Sequence, residues 1–251
     1  MNIKKRQCYI AGHVWDRGPQ IKNEDACCIY SFTLNHAAGM IAIICDGIGS
    51  LEEGQNASSS LCHSIETRLK DRLKRKGGKP YKAFIYRTIC EEHYKILKYS
   101  QRHKIKMGTT LCMIYIHGTS YDVYACGDTR VYAARGRGGQ KSNIWKQISM
   151  DQINERGQLT AAIGIGTLEI NYYRGFRLKN GDTLLICSDG FYRRSIPQED
   201  FKGLLSGYLK DETMIVAQLK KIVTIMRMRG EKDNCSAICI RRIQEYKNER
   251  E

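Results

Sequence analysis

The residues best suited to chemistry sit in five short acidic motifs: Asn23-Glu24-Asp25, Asp46-Gly47-Ile48-Gly49, Gly127-Asp128-Thr129-Arg130, Ser188-Asp189-Gly190 and Asp233-Asn234. Apolar runs lead into Asp46, Gly127 and Asp189, and apolar strands follow Asp25 and Asp233. A carboxylate at a strand end is held rigidly yet can face an open cleft. Several in one cleft repel one another unless cations neutralise them. Oxygen donors without His or Cys favour Mg2+ or Mn2+ over Zn2+, and adjacent glycines let carbonyls and waters approach closely. Each motif alone has a plainer reading. Asp-Gly is a common turn, Asn-Glu-Asp suits a solvated loop, and Asp-Asn can start a hairpin. The combination in this order is what points to a cation site. Gly108-Thr109-Thr110, with no G-x-x-x-x-G-K-[ST] around it, reads as strand-start packing rather than a phosphate loop.

The elements that must position these motifs come in groups. QCYIAGHVW, DACCIYSF and GMIAIIC are short apolar runs separated by polar turns and predict strands. Ala57, Leu61, Ile65, Leu69 and Leu73 then recur every four residues, one face of a helix that Gly77, Gly78 and Pro80 end. A second helix is expected over 81–99, with Phe84, Ile85, Thr88, Ile89, Ile96 and Leu97 inward. Strands return at TTLCMIYI, YDVYAC, RVYAAR, NYYRGFRL and DTLLICS, with 136–157 read as a loop holding one short strand. Pro197 suits a first helical turn. Ile215, Leu219, Ile222 and Met226 mark a helix over 212–229, and NCSAICIRRI is a closing strand. Grouped rather than alternating elements disfavour a doubly wound sheet and fit a helix-covered β-sandwich.

Composition bounds the rest. The chain has 251 residues, 42% apolar, with three prolines and no linker-like stretch, which predicts one domain spanning 1–251. No run approaches the roughly 18 apolar residues of a membrane span, and MNIKKRQCYIAGHVW lacks the apolar core of a signal peptide, so a cytoplasmic protein is expected. Cys45, Cys112, Cys187 and Cys239 lie inside apolar runs, as buried thiols in a reducing compartment would. The net charge is +15, and between Glu66 and Lys106 there are 14 Lys/Arg against 4 Asp/Glu. That stretch therefore carries +10 of the excess and predicts a basic face on the two helices. Such a face favours acidic partners. Its tyrosines fall at helical spacing, so they read as core and rim rather than base-stacking platforms, and nucleic acid is not the expected partner.

The ordered blocks KNEDACC, IICDGIGSLEEGQNAS, MGTTLCMIYI, YACGDTRVYAA, QLTAAIGIG, GDTLLICSDGF and EKDNCSAICI resemble the metal-dependent protein phosphatases of type 2C, in particular their compact bacterial members. The resemblance covers nearly the whole chain. It implies an α+β fold in which two antiparallel β-sheets form a central sandwich flanked by helices on both faces. It also implies hydrolysis of protein phosphoserine and phosphothreonine, with two Mn2+ or Mg2+ ions activating a bridging hydroxide. On that resemblance Asp46 bridges the ions and the Gly47 carbonyl ligates. Asp189 and Asp233 are the remaining direct ligands of the first ion, Glu24 and Asp25 act largely through water, and Asp128 belongs to a third, weaker cation. Phosphorylated proteins and a cognate Ser/Thr kinase are the implied partners.

Two positions depart from the family pattern. The arginine that grips the substrate phosphate is replaced by Gln20, whose amide cannot make a charged bidentate contact. Arg17 is the expected substitute, in a loop that Gly18-Pro19 could reroute; the plainer alternative is a surface charge. Where some relatives carry a proton-donating histidine, this chain has Ile48. Gln20 also keeps open a second reading, a catalytically weak or inactive pseudophosphatase that binds phosphoproteins as a regulatory module. Retention of all the matched acids argues against it.

Overall fold

The computed structural model describes residues 3–49, 51–75, 77–136, 144–205 and 209–248. Strand β1 (Ile3–Asp16), β2 (Asp25–Leu34) and β3 (Ala37–Asp46) come first, followed by helices α1 (Gly54–Lys74) and α2 (Lys82–His103). Next are β4 (Leu111–His117), β5 (Ser120–Cys126), β6 (Arg130–Ala134), β7 (Lys146–Gln147), β8 (Asn171–Arg177) and β9 (Thr183–Cys187). Short helices α3 (Asp189–Tyr192) and α4 (Pro197–Asp200), a 3-10 turn (Lys202–Leu205), α5 (Glu212–Met228) and β10 (Cys235–Asn248) complete the order. Two five-stranded antiparallel sheets result, ordered β1-β10-β9-β6-β7 and β2-β3-β4-β5-β8.

Side-chain alternation makes the layers. Successive residues of a strand point to opposite faces. In β3, Met40, Ala42 and Ile44 enter the space between the sheets, where they meet Ile114, Ile186 and Ile238. Ile41, Ile43 and Cys45 turn the other way, onto Leu61, Ile65, Leu69, Ile85 and Ile89 of α1 and α2. On the second sheet, Leu185, Cys187, Ala237 and Cys239 face Ile215, Leu219, Ile222 and Met226 of α5. The central strands are buried on both faces, so their sequences read as unbroken apolar runs rather than alternating ones.

The α+β sandwich expected from the sequence is therefore the observed fold. The four residues Ala57, Leu61, Ile65 and Leu69 are buried along α1, and Leu73 is half-buried. Helix α2 runs one turn beyond its expected end, to His103, and stops where Lys104 adopts a left-handed φ of 55°. It also buries Glu92 and His93, which a purely apolar stripe does not reveal. The expected loop over 136–157 lies partly outside the described residues, at 137–143; its short strand is β7. Asp211 caps α5 by accepting from the Met214 N–H at 2.9 Å. Cys45, Cys112, Cys187 and Cys239 are buried, as their apolar neighbours suggested. Among the described residues no helix is long and apolar enough to cross a membrane.

Candidate functional site

Strand register gathers the acidic motifs at one end of the sandwich. Asp25 and Asp46 are Cα partners at the paired ends of β2 and β3. Cys187 pairs with Ala237 of β10 on one side and Arg130 of β6 on the other. The residues just beyond those pairs, Asp189, Asp233 and Asp128, must then emerge near one another. They do: Glu24, Asp46, Gly47, Asp128, Asp189 and Asp233 line one cleft of about 640 Å3, together with Gln20, Lys22, Ile48 and Asn234. Asp25 lies behind this lining and is fully buried.

Each acid is held by its backbone. Asp46 N–H donates to Thr110 Oγ1 at 3.0 Å, while Thr110 N–H donates to the Asp46 carbonyl at 2.8 Å. Gly47 N–H donates to the Glu24 carbonyl at 3.0 Å, joining two of the motifs directly. A Cβ at Gly47 would stand 2.5 Å from the Gly54 carbonyl oxygen and 2.6 Å from that of Glu24, so only glycine fits there. Gly190 is equally confined, with the Asn234 carbonyl oxygen 2.1 Å from where its Cβ would be. Asn234 acts as the tie between distant segments. Its Oδ1 accepts from Glu24 N–H at 2.8 Å, and its Nδ2 donates to the carbonyls of Arg17 and Lys22 at 2.9 and 3.1 Å.

Asp128 is buttressed from outside the cleft. Tyr192 Oη donates to its carbonyl at 3.0 Å. The Tyr192 ring in turn carries the Arg130 guanidinium, 3.6 Å from its centroid, and that guanidinium pairs with Asp151 at 2.6 Å. Asp25 accepts from Ser188 Oγ at 3.0 Å through Oδ2, but its Oδ1 is buried without a hydrogen-bond partner.

The electrostatics follow from this crowding. Burial first, then the carboxylates of Asp25, Asp189, Asp128 and Asp233, pushes Asp46 well above the ordinary carboxylate range. Burial raises Asp25 to about 6, opposed in part by the hydrogen bond from the Ser188 hydroxyl. Asp189 is raised to about 7 by burial, opposed chiefly by Arg193. Asp128 is raised by burial and by Asp151, and Glu24 by burial with Asp233 adding to it. A cleft whose acids hold protons this tightly is short of positive charge.

One guanidinium contacts two of these acids without itself lining the cleft. Arg193, four residues after Asp189, pairs through Nη2 with Asp189 Oδ2 and with Asp233 Oδ2 at 3.3 Å, and through Nη1 with Glu231 Oε1 at 3.5 Å. Arg17 is not among the lining residues. Its Nη1 donates to the Ile21 carbonyl at 3.3 Å within its own loop, leaving Gln20, Ile21 and Lys22 as the members of that loop on the cleft.

The donor chemistry fits divalent cations: all oxygen, mutually repelling, with an orphaned carboxylate oxygen on Asp25. The side chains are not drawn together, however. Among the described residues no three His, Cys, Asp or Glu side chains converge closely enough to hold an ion as they stand. Arg193 is the participant that sequence reasoning did not single out; Ser188 and Asn234 were named there only as neighbours of the acids in their motifs. For Arg193 the four-residue spacing from Asp189 was the available signal.

Comparison with known proteins bears on the family and the fold. A family model described as protein phosphatase 2C matches residues 17–224. No match is found among curated proteins. Among solved structures, PppA, a key regulatory component of T6SS in Pseudomonas aeruginosa, is 21% identical with a TM-score of 0.71, over 96% of this chain and 100% of that one. The serine/threonine phosphatase Stp1 from Staphylococcus aureus is 20% identical with a TM-score of 0.73, over 92% and 94%. The catalytic domain of the serine threonine protein phosphatase PstP, in complex with two manganese ions, is 20% identical with a TM-score of 0.74, over 95% and 100%. At these identities the structural matches speak for the fold.

Proposed function

Because the chain belongs to the protein phosphatase 2C family, we propose that it hydrolyses phosphoserine and phosphothreonine esters of proteins with two divalent cations, Mn2+ or Mg2+, and a third beside Asp128. The observation that carries this reading is the meeting of Glu24, Asp46, Asp128, Asp189 and Asp233 on one cleft. Asp46, the Gly47 carbonyl, Asp189 and Asp233 would hold ions directly, and Glu24 and Asp25 through water. Bound cations would supply an acidified water as nucleophile and neutralise charge on the phosphoryl oxygens.

The chain's own residues do the positioning. The Thr110 clamp fixes Asp46, and the Asn234 tie fixes the loop that brings Gln20 and Lys22 to the cleft. Gln20 can donate a neutral hydrogen bond to a phosphate and Lys22 a charged one. Arg17 would reach a phosphate only after releasing the Ile21 carbonyl. Ile48 lines the cleft without a proton to give, so the leaving oxygen takes its proton from solvent held in the site. The proposal extends to one phosphatase domain over 1–251 acting in the cytosol on phosphoproteins, and beside a cognate Ser/Thr kinase. The basic face of α1 and α2 favours acidic partners.

A second reading, a phosphoprotein-binding module without turnover, draws on Gln20 and on the guanidinium between Asp189 and Asp233. One experiment separates the two: phosphate release from a phosphothreonine peptide, with Mn2+ or with EDTA, for wild type and Asp46→Asn. The catalytic reading expects metal-dependent turnover that falls by more than about 100-fold in the variant, beyond the upper end of outer-sphere effects. Folded protein that binds the peptide but never turns it over with any divalent metal would select the binding module.

A further inference from the structure

A guanidinium stands against two of the acids of this cleft. Arg193 extends from the end of α3 and spans Asp189 and Asp233, the two acids that the family reading assigns to the first ion. Its other nitrogen rests on Glu231. Glu231 is outside the acidic motifs, its side chain is 4% exposed, and its Oε1 accepts from the N–H groups of Lys232 and Asp233 at 2.9 and 3.0 Å. Glu231 is thus a fixed carboxylate immediately behind the site. The Arg193 side chain is 46% exposed, so it can swing off the acids without disturbing the core.

We propose that Arg193 is a built-in counter-cation that competes with the divalent ion for Asp189 and Asp233, with Glu231 as its resting place once displaced. This rests on the phosphatase reading of the cleft. Two observations motivate it jointly. The contacts of Arg193 fall on the acids that an ion needs, and among the described residues no three His, Cys, Asp or Glu side chains converge on a point. A guanidinium is a wide, planar cation with its donors in a fork. Its Nη2 contacts both Asp189 Oδ2 and Asp233 Oδ2, so it occupies an oxygen of each carboxylate that a hard divalent ion, with ligands at about 2.0–2.6 Å, would need. Ion entry must therefore break both contacts. The consequence is a raised threshold for metal: the metal-free protein is stabilised by Arg193, and loading demands a higher free cation concentration than the bare acids would.

The test is Mn2+ titration by calorimetry on EDTA-stripped, dialysed protein, with thermal unfolding of the same samples. Wild type is compared with Arg193→Met, which keeps length and removes charge, and with Arg193→Lys. The expected result is a dissociation constant about tenfold lower in Arg193→Met, the scale of one charge-assisted pair. Metal-free unfolding temperature should drop in the same variant, and Arg193→Lys should lie near wild type. A merely structural arginine would give the opposite sign, with weaker metal binding in a loosened site. Equal or weaker Mn2+ binding by Arg193→Met, with a wild-type circular dichroism spectrum, overturns the proposal and leaves the phosphatase reading standing. Failure of both proteins to take up Mn2+ overturns the two together. Uptake by Arg193→Met alone supports the latch in its strongest form. Should Arg193→Met not fold, Arg193→Gln carries the same expectations with a polar end.

Discussion

The acidic cleft and the basic face of α1 and α2 hold opposite charges and balance them in different ways. On the helices, cations find glutamates one turn away: Lys70 with Glu66 at 2.7 Å, Lys95 with Glu92 at 2.7 Å, and Arg87 with Glu91 at 3.8 Å. Most of these side chains are in contact with solvent, and water screens what the pairs leave unbalanced. In the cleft the acids are packed behind Asp46, and their charge is met by Arg193 and, along the loop, Lys22. The acids there respond by holding protons, Asp25 to about 6 and Asp189 to about 7. The same chemistry thus gives a tolerant surface where each charge has a near partner and a strained site where several acids crowd together with Asp25 and Asp46 buried among them.

The largest effect should come from removing one buried charge from the cleft. Asp25 is pushed to about 6 by burial, from 3.8 in the unfolded chain. Between those values the folded state binds more protons, so the contribution of protonated Asp25 is fully present below about pH 4 and is lost as pH rises through about 6. The gap of about 2 pH units, at about 1.4 kcal/mol each, sets a scale of roughly 3 kcal/mol. Asp25→Asn keeps an oxygen for the Ser188 hydroxyl and loses the charge. In EDTA near about pH 7.5 it should therefore unfold at a higher temperature than wild type, with the advantage shrinking toward about pH 4. A variant that melts lower than wild type in EDTA at the higher pH would mean that the cleft acids are not in excess.

What the sequence reveals of these two regions follows from how local each signal is. Asp46 and Asp189 stand at the ends of apolar strands, and strand periodicity is visible within a few residues, so both were readable as cleft-facing acids. The sandwich was readable for the same reason, since runs such as IAIIC and LLIC are apolar on both faces. The role of Arg193 was hidden because it depends on Glu231, 38 residues later by number, and on α3, a helix of four residues that leaves no periodic trace. The course of the loop with Arg17 and Gln20 was hidden more deeply. It is set by the Asn234 side chain, 217 positions from Arg17, and no local pattern encodes such a tie. Buried Glu92 and His93 break the apolar stripe of α2 because His93 Nδ1 accepts from Gly164 N–H at 3.1 Å, a contact 71 residues distant.

A smaller effect is expected from the basic face. Lys98 and Arg102 are exposed on α2 and four residues apart, so they share one side of the helix. If the face steers acidic phosphoproteins, Lys98→Glu with Arg102→Glu should raise KM for an acidic phosphopeptide by about threefold at low salt, and the difference should vanish near about 0.5 M NaCl, where the screening length is only a few ångströms. A salt-independent change, or none, would mark the face as solvated charge without a role in recruitment.

The smallest effect tests the surface half of the comparison. Glu66→Gln removes the partner of Lys70 on α1, but Lys70 keeps the Tyr30 ring, 4.7 Å from its ammonium, and remains in contact with water. The loss by urea unfolding should be no more than about 0.5 kcal/mol and should fade with added salt. The contrast with Asp25→Asn is one of sign as well as size. Deleting the half-buried Glu66 carboxylate costs a little, because the charge there has a nearby partner whose ammonium keeps contact with solvent. Deleting one in the metal-free cleft should stabilise, because the remaining acids gain from its absence. A cost above about 1.5 kcal/mol for Glu66→Gln would put the pair among strongly coupled, desolvated ones and erase the distinction between the two regions.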